Sequence, residues 1–205
     1  MSGTYGALRL IELTAARLCH DISGLVESLE HALSGGAPPD AGAERKARDA
    51  ALALASRLAL CQAAWGPDGD KLSLARMRRL ADGLPDQVSV DVSALDQGTV
   101  FSASTGRIVL NLLLLAADSL HAGGAVILAG EADDLFIRIA GPDAEWPLGM
   151  AVCLSDATAA RSALTDRHSL QMALTALLAH AAGIRLSVAL SPAATQEPAI
   201  LRLGG

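Results

Sequence analysis

The chain has 205 residues, 51% hydrophobic but only 2% aromatic, with a net charge of -6 and a pI near 5.3. That length supports one large or two small domains around a core of Leu, Ala, Val and Ile. The acidic balance and the lack of a basic stripe argue against nucleic acid as a partner. No apolar run reaches the roughly 18 residues of a membrane span, since the longest, Ile108 to Leu120, is interrupted by Asn111 and Asp118. The opening MSGTYGALRL has neither the basic nor the apolar region of a signal peptide, so a cytoplasmic location is expected. Cys19, Cys61 and Cys153 are an odd set without a C-x-x-C pair, which reads as reduced thiols and not as disulfides or metal ligands.

The first element is a long helix over residues 8–33. Leu8, Ile11, Ala15, Leu18, Ile22, Leu25, Leu29 and Ala32 alternate at gaps of three and four, a heptad seam with Leu8 as a and Ile11 as d. In that frame His20 takes position f, directly away from the seam, and Asp21 takes g. Ala16, Arg17, Ser23 and Gly24 are its neighbours on the helix. Ala16 and Gly24 are small and leave the imidazole unshielded. No second His or carboxylate lies one turn away on that face, so the pattern suits a nucleophile better than a metal ligand. Arg17, Ser23 and Gly24 are candidate partner-binding residues, and Asp21 is a candidate for orienting the imidazole or taking its proton. Cys19, at e, is expected to pack at a bundle edge.

Ser34-Gly35-Gly36 and Pro38-Pro39 stop this helix, and Asp40 is a plausible cap for a second one running to Trp65. Ala47, Ala51, Leu54, Leu58, Cys61 and Trp65 form its apolar stripe, with Arg45, Lys46 and Asp49 off it. Two arms make an antiparallel hairpin whose apolar seam needs a partner, and a second copy of the chain would close a four-helix bundle. Residues 66–70, GPDGD, mark the boundary between domains at 1–66 and 70–205.

Beyond it, helices alternate with strands. Residues 72–81 read as a short helix, 87–93 as a half-buried strand of period two, and 105–121 as an apolar helix. Residues 125–129 and 134–140 read as a hairpin, and 146–160 as partly helical. Thr165 or Asp166 would cap a helix running to His180 and ended by Gly183, and 184–190 and 199–203 are the last strands. The fold class is α+β, with an antiparallel or mixed sheet and helices on one face.

A helical hairpin carrying an outward His-Asp, followed by an α/β domain, resembles a sensor histidine kinase core. The nucleotide motifs of that family are eroded here. Asn111 stands where the first N-box Asn belongs, but Leu115 replaces the second. Residues 139–143, IAGPD, lack the Asp-x-Gly-x-Gly spacing, and 166–170, DRHSL, lack the glycines that let backbone N–H groups approach phosphate. With the stretch Ala16-Arg17-Leu18-Cys19-His20-Asp21, the pattern resembles the ChpT-type histidine phosphotransferases of bacterial phosphorelays. That resemblance implies a dimeric four-helix bundle followed by a degenerate ATPase-like α/β sandwich domain.

It also implies a phosphotransferase that binds no ATP and has no cofactor of its own. Its partners would be receiver domains of a hybrid histidine kinase and of response regulators, with Mg²⁺ on the receiver. His20 would be the phospho-acceptor in the catalytic step. A non-enzymatic dimeric adaptor that docks response regulators is the main rival, and an ATP-dependent histidine kinase with unusual boxes is another. His31, His121 and His180 sit near helix C-termini, where positive charge suits the dipole, and His168 lies within the eroded glycine motif.

Overall fold

The computed structural model describes residues 2–33, 41–66, 69–165, 167–189 and 199–204. The expected stop at 34–39, the Asp40 cap, Pro67, Asp68, the Asp166 cap and Leu190 lie outside them.

Helix α1 runs over Ser2–Leu33 and α2 over Ala41–Trp65. They pack along one another as the two heptad stripes require. The α1 seam is nonetheless unevenly covered. Leu8 and Ile11 are 55% and 65% exposed, while Leu18, Ile22, Leu25 and Leu29 are half-buried. On α2, Leu52 and Leu58 are also exposed.

The stretch expected as one short helix begins with a two-residue strand, β1 (Leu72–Ser73), which pairs antiparallel with β3 (Val100–Phe101). Ser73 then caps α3 (Leu74–Ala81), its hydroxyl accepting from the Arg76 N–H. After β2 (Val88–Ala94), Ser102 caps α4 (Ala103–Ser119) in the same way. Strands β4 (Gly124–Gly130) and β5 (Asp134–Ala140) form the expected hairpin. The ambiguous region resolves into α5 (Met150–Ser155) and α6 (Ala157–Ser162), separated by Asp156, whose carboxylate caps α6. Helix α7 (Arg167–Ala182) ends at Gly183, whose φ of +67° is the left-handed stop that glycine adopts most cheaply. Strands β6 (Arg185–Ala189) and β7 (Ile200–Gly204) complete the chain.

Among the described residues the main sheet has five strands in the order β2-β4-β5-β7-β6, with β2 parallel to β4 and every other pair antiparallel. Period-two alternation sends Val126, Leu128, Leu135, Ile137, Ile139, Leu201 and Leu203 inward, where all are buried beneath the helical layer. The other face carries Phe136 and Arg202, with the guanidinium 5.5 Å from the ring centroid and paired with Asp134.

The core does not stop at residue 66. Leu60 and Ala64 of α2 are fully buried in the same cluster as the sheet residues. Gly83 makes this contact possible. A Cβ there would lie 2.4 Å from the Ser56 carbonyl oxygen and 2.9 Å from the Leu60 Cβ. A polar knot fastens the end of α2 from the other side. Asn111, 0% exposed, donates to the Ala64 carbonyl at 2.8 Å and accepts from Gln171 Nε2 at 2.9 Å. Among the described residues, no helix is long and apolar enough to cross a membrane.

Candidate functional site

The site is built where α1 meets the helices of the second half. Leu13, Arg17 and Asp21 follow one another at i+4 on α1, the spacing that lines up one helical face. In the heptad frame Leu13 and Arg17 fall at f and c, off the seam, and Asp21 at g beside it, a face that would be open if the seam were the helix's one contact. It is not. Leu13 and Arg17 are each 6% exposed. The Arg17 Nη1 and Nη2 both donate to the Asp118 carboxylate of α4, each at 2.8 Å. Its guanidinium also lies 5.9 Å from the Trp65 ring centroid. Burial pulls this guanidinium down, but the bond to Asp118 and the charges of Asp118 and Asp21 outweigh it and hold the group above its ordinary value. Arg17, a partner-binding candidate in the sequence, is therefore held in a buried ion pair whose acid, Asp118, comes from 101 residues downstream.

His20 stands at the edge of this packed face with its side chain 60% exposed. It opens onto a groove of about 820 Å³ lined also by Gln87, Asp118, His121, Asp143, Glu145 and His168. Ala16, Ser23 and Gly24 are exposed, and a Cβ at Gly24 would meet nothing within 4 Å, so the ring is unshielded on its helical flanks. Ser23 spends its hydroxyl on the Cys19 carbonyl one turn back. Cys19 is itself exposed, in contrast to the packing role expected of it.

Asp21 lies beneath the imidazole, its side chain 17% exposed. Its Oδ1 is 3.5 Å from His20 Nδ1. Its Oδ2 accepts from Arg57 Nη2 of α2 and lies 3.7 Å from Arg17 Nε. Arg57 in turn donates through Nη1 to the Gly83 carbonyl at 3.3 Å. Two arginines and two aspartates thus alternate from α4 through α1 to α2, and their charges balance. Arg57 and Asp118 are absent from the candidates read from the sequence. A signal for each was present. Arg57 is the one charged residue among 50–64, as Asp118 is among 108–120. A lone charge in an apolar helix needs a partner.

The other histidines are placed differently. His121 and His168 are exposed on the groove wall, His31 is exposed, and His180 is half-buried with Nε2 3.0 Å from the Cys153 carbonyl. Among the described residues, no group of three His, Cys, Asp or Glu is placed to hold a metal ion.

The model of the histidine phosphotransferase C-terminal domain matches residues 74–194. The chain belongs to the ChpT-like histidine phosphotransferase family. One solved structure, described as the 1.7 Angstrom structure of a bacterial phosphotransferase, aligns at TM-score 0.69 over 96% of this chain and 96% of its own, with 24% identity. That likeness establishes the shared fold. No curated protein matches the chain. In this histidine phosphotransferase, Asn111 is sealed in the core with its amide spent on the end of α2, so it does not face a cleft.

Proposed function

We propose that this histidine phosphotransferase is a relay intermediate. His20 accepts a phosphoryl group from an aspartate of one receiver domain and returns it to an aspartate of another, without ATP. The observation that carries the proposal is the pairing of an exposed imidazole at the mouth of a groove with a carboxylate held beneath it. Neutral His20 attacks phosphorus in line through Nε2. That bond forms as the bond to the receiver's aspartyl oxygen breaks, and the electron pair leaves with the carboxylate. The receiver brings Mg²⁺, so the phosphotransferase contributes mainly position. Asp21 faces the positive charge that develops on the ring. Ser23 and Gly24 form the docking surface beside His20, and Arg17 acts from behind it.

The homodimer belongs to the same proposal. Exposed Leu8, Ile11, Leu52 and Leu58 are the surface a second hairpin would cover. In this arrangement residues 1–66 carry transfer and dimerisation, and 70–205 form the degenerate ATPase-like half. The burial of Asn111 and the absence of glycines from 167–170 support independence from ATP.

The test mixes the protein with a panel of receiver domains charged with labelled acetyl phosphate, in the absence of ATP. Acid-labile label should reach the wild type and not His20→Ala. Binding without label from any receiver would favour the adaptor instead.

A further inference from the structure

Arg57 is remote from His20 in sequence, yet it contacts the carboxylate beneath the ring. Its side chain is 12% exposed, so it is poorly placed to meet a partner directly. One end of its guanidinium is fixed on the Gly83 carbonyl and the other on Asp21 Oδ2. This leaves Oδ1 as the Asp21 oxygen facing His20 Nδ1. The groups around Asp21 come from three helices: Arg17 and His20 on α1, Arg57 and Cys61 on α2, and, through Arg17, Asp118 on α4.

We infer that Arg57 is a positioning residue for phosphoryl transfer, acting on His20 through Asp21. The inference rests on His20 being the acceptor. Asp21, rotated by Arg57 so that Oδ1 accepts from Nδ1–H, holds the proton on that nitrogen and leaves the Nε2 lone pair facing outward. During attack the Nε2–P bond forms, the P–O bond to the donor aspartate breaks and that carboxylate takes the electron pair. The ring retains the Nδ1 proton and becomes cationic against Oδ1. In the return step the acceptor carboxylate forms its bond to phosphorus and Nε2 recovers its pair. Without Arg57, Asp21 keeps its charge but loses the bond that sets its rotamer. A nucleophile misplaced by 1 Å costs up to about a hundredfold, and partial loosening should cost about tenfold.

The experiment is a double-mutant cycle on the full chain, with Arg57→Gln, Asp21→Asn and the pair, read by single-turnover transfer from a charged receiver. Arg57→Gln should slow transfer about tenfold alone and less than about twofold in the Asp21→Asn background. The ¹⁵N spectrum of the His20 ring should shift from the Nδ1–H tautomer toward a mixture in Arg57→Gln. Arg57→Lys keeps the charge and one donor, and should recover part of the rate. It also carries the cycle if circular dichroism shows Arg57→Gln unfolded. Equal slowing in both backgrounds, or an unchanged tautomer ratio, overturns the inference. Failure of the wild type to take label from any receiver overturns the acceptor reading instead, and the tautomer measurement, which needs no receiver, still decides whether Arg57 governs the ring.

Discussion

Arg17 spans from α1 to α4 and grips Asp118 with both terminal nitrogens, each bond 2.8 Å long. This fork ties α1 to the sheet half directly behind His20. The pair is asymmetric in burial, 7% exposed for the Arg17 side chain and 36% for Asp118. Replacing Arg17 by Met leaves Asp118 able to turn to water but removes two charge-assisted bonds, so we expect a loss of about 1–3 kcal/mol. Asp118→Asn should cost at least as much, because it leaves the buried guanidinium with one acceptor and sets an amide donor against its other N–H. Urea unfolding of the two variants measures both. A neutral Arg17→Met would mean that the fork contributes nothing to stability.

Gly83 sets how closely α2 approaches the turn after α3. Gly83→Ala places a methyl 2.4 Å from the backbone oxygen of Ser56. Helix backbone cannot yield as a side-chain tip can, and the expected loss is about 1–3 kcal/mol. A denaturant midpoint equal to that of the wild type would contradict this packing.

Much of this arrangement was legible in the residues. Gaps of three and four over Leu8 to Ala32 locate α1, and the alternation at Val88, Val90 and Val92 locates β2. The two-residue strands β1 and β3 were not, because so short a run has no periodicity and exists only through its partner across α3. The same limit hid the state of Arg17. A helical frame states which way a side chain points, but whether that direction holds water or another helix depends on chain far downstream. His20 could be placed on its helix face from spacing alone. The Arg57 contact to Asp21 required the register between the two arms.

The thiols divide by exposure. Burial pushes Cys61 up from its ordinary range, with Arg57 pulling only part of the way back, and burial pushes Cys153 up as well. The folded chain therefore keeps thiol protons that the unfolded chain releases. That contribution is complete below the unfolded thiol's pKa and is lost as pH rises through it toward the folded value. The denaturation midpoint should fall above about pH 8.5, and less steeply in Cys61→Ala than in the wild type. At pH 8 a thiol reagent should modify Cys19 quickly and the other two slowly, since the thiolate must form and be reached. Three equally fast thiols would contradict the buried positions.

The apolar surface on the hairpin makes a prediction of its own. Charging Leu8 and Ile11 together, as Leu8→Glu with Ile11→Glu, should convert the proposed dimer to monomers in sedimentation equilibrium while leaving the helical signal intact. Both positions are exposed in the single chain, so neither change disturbs its core. A dimer that survives the double substitution would place the interface elsewhere.

Of the three imidazoles that line the groove, His20 is the one proposed to carry the phosphoryl group. The most direct measurement locates it: charge the protein from a phosphorylated receiver without ATP and read the phosphorus spectrum of wild type, His20→Ala, His121→Ala and His168→Ala. We predict one phosphoramidate signal, on Nε2, in every chain that retains His20, and none in His20→Ala. A signal that persists in His20→Ala, or that disappears with His121 or His168, would place the phosphoryl group on another residue.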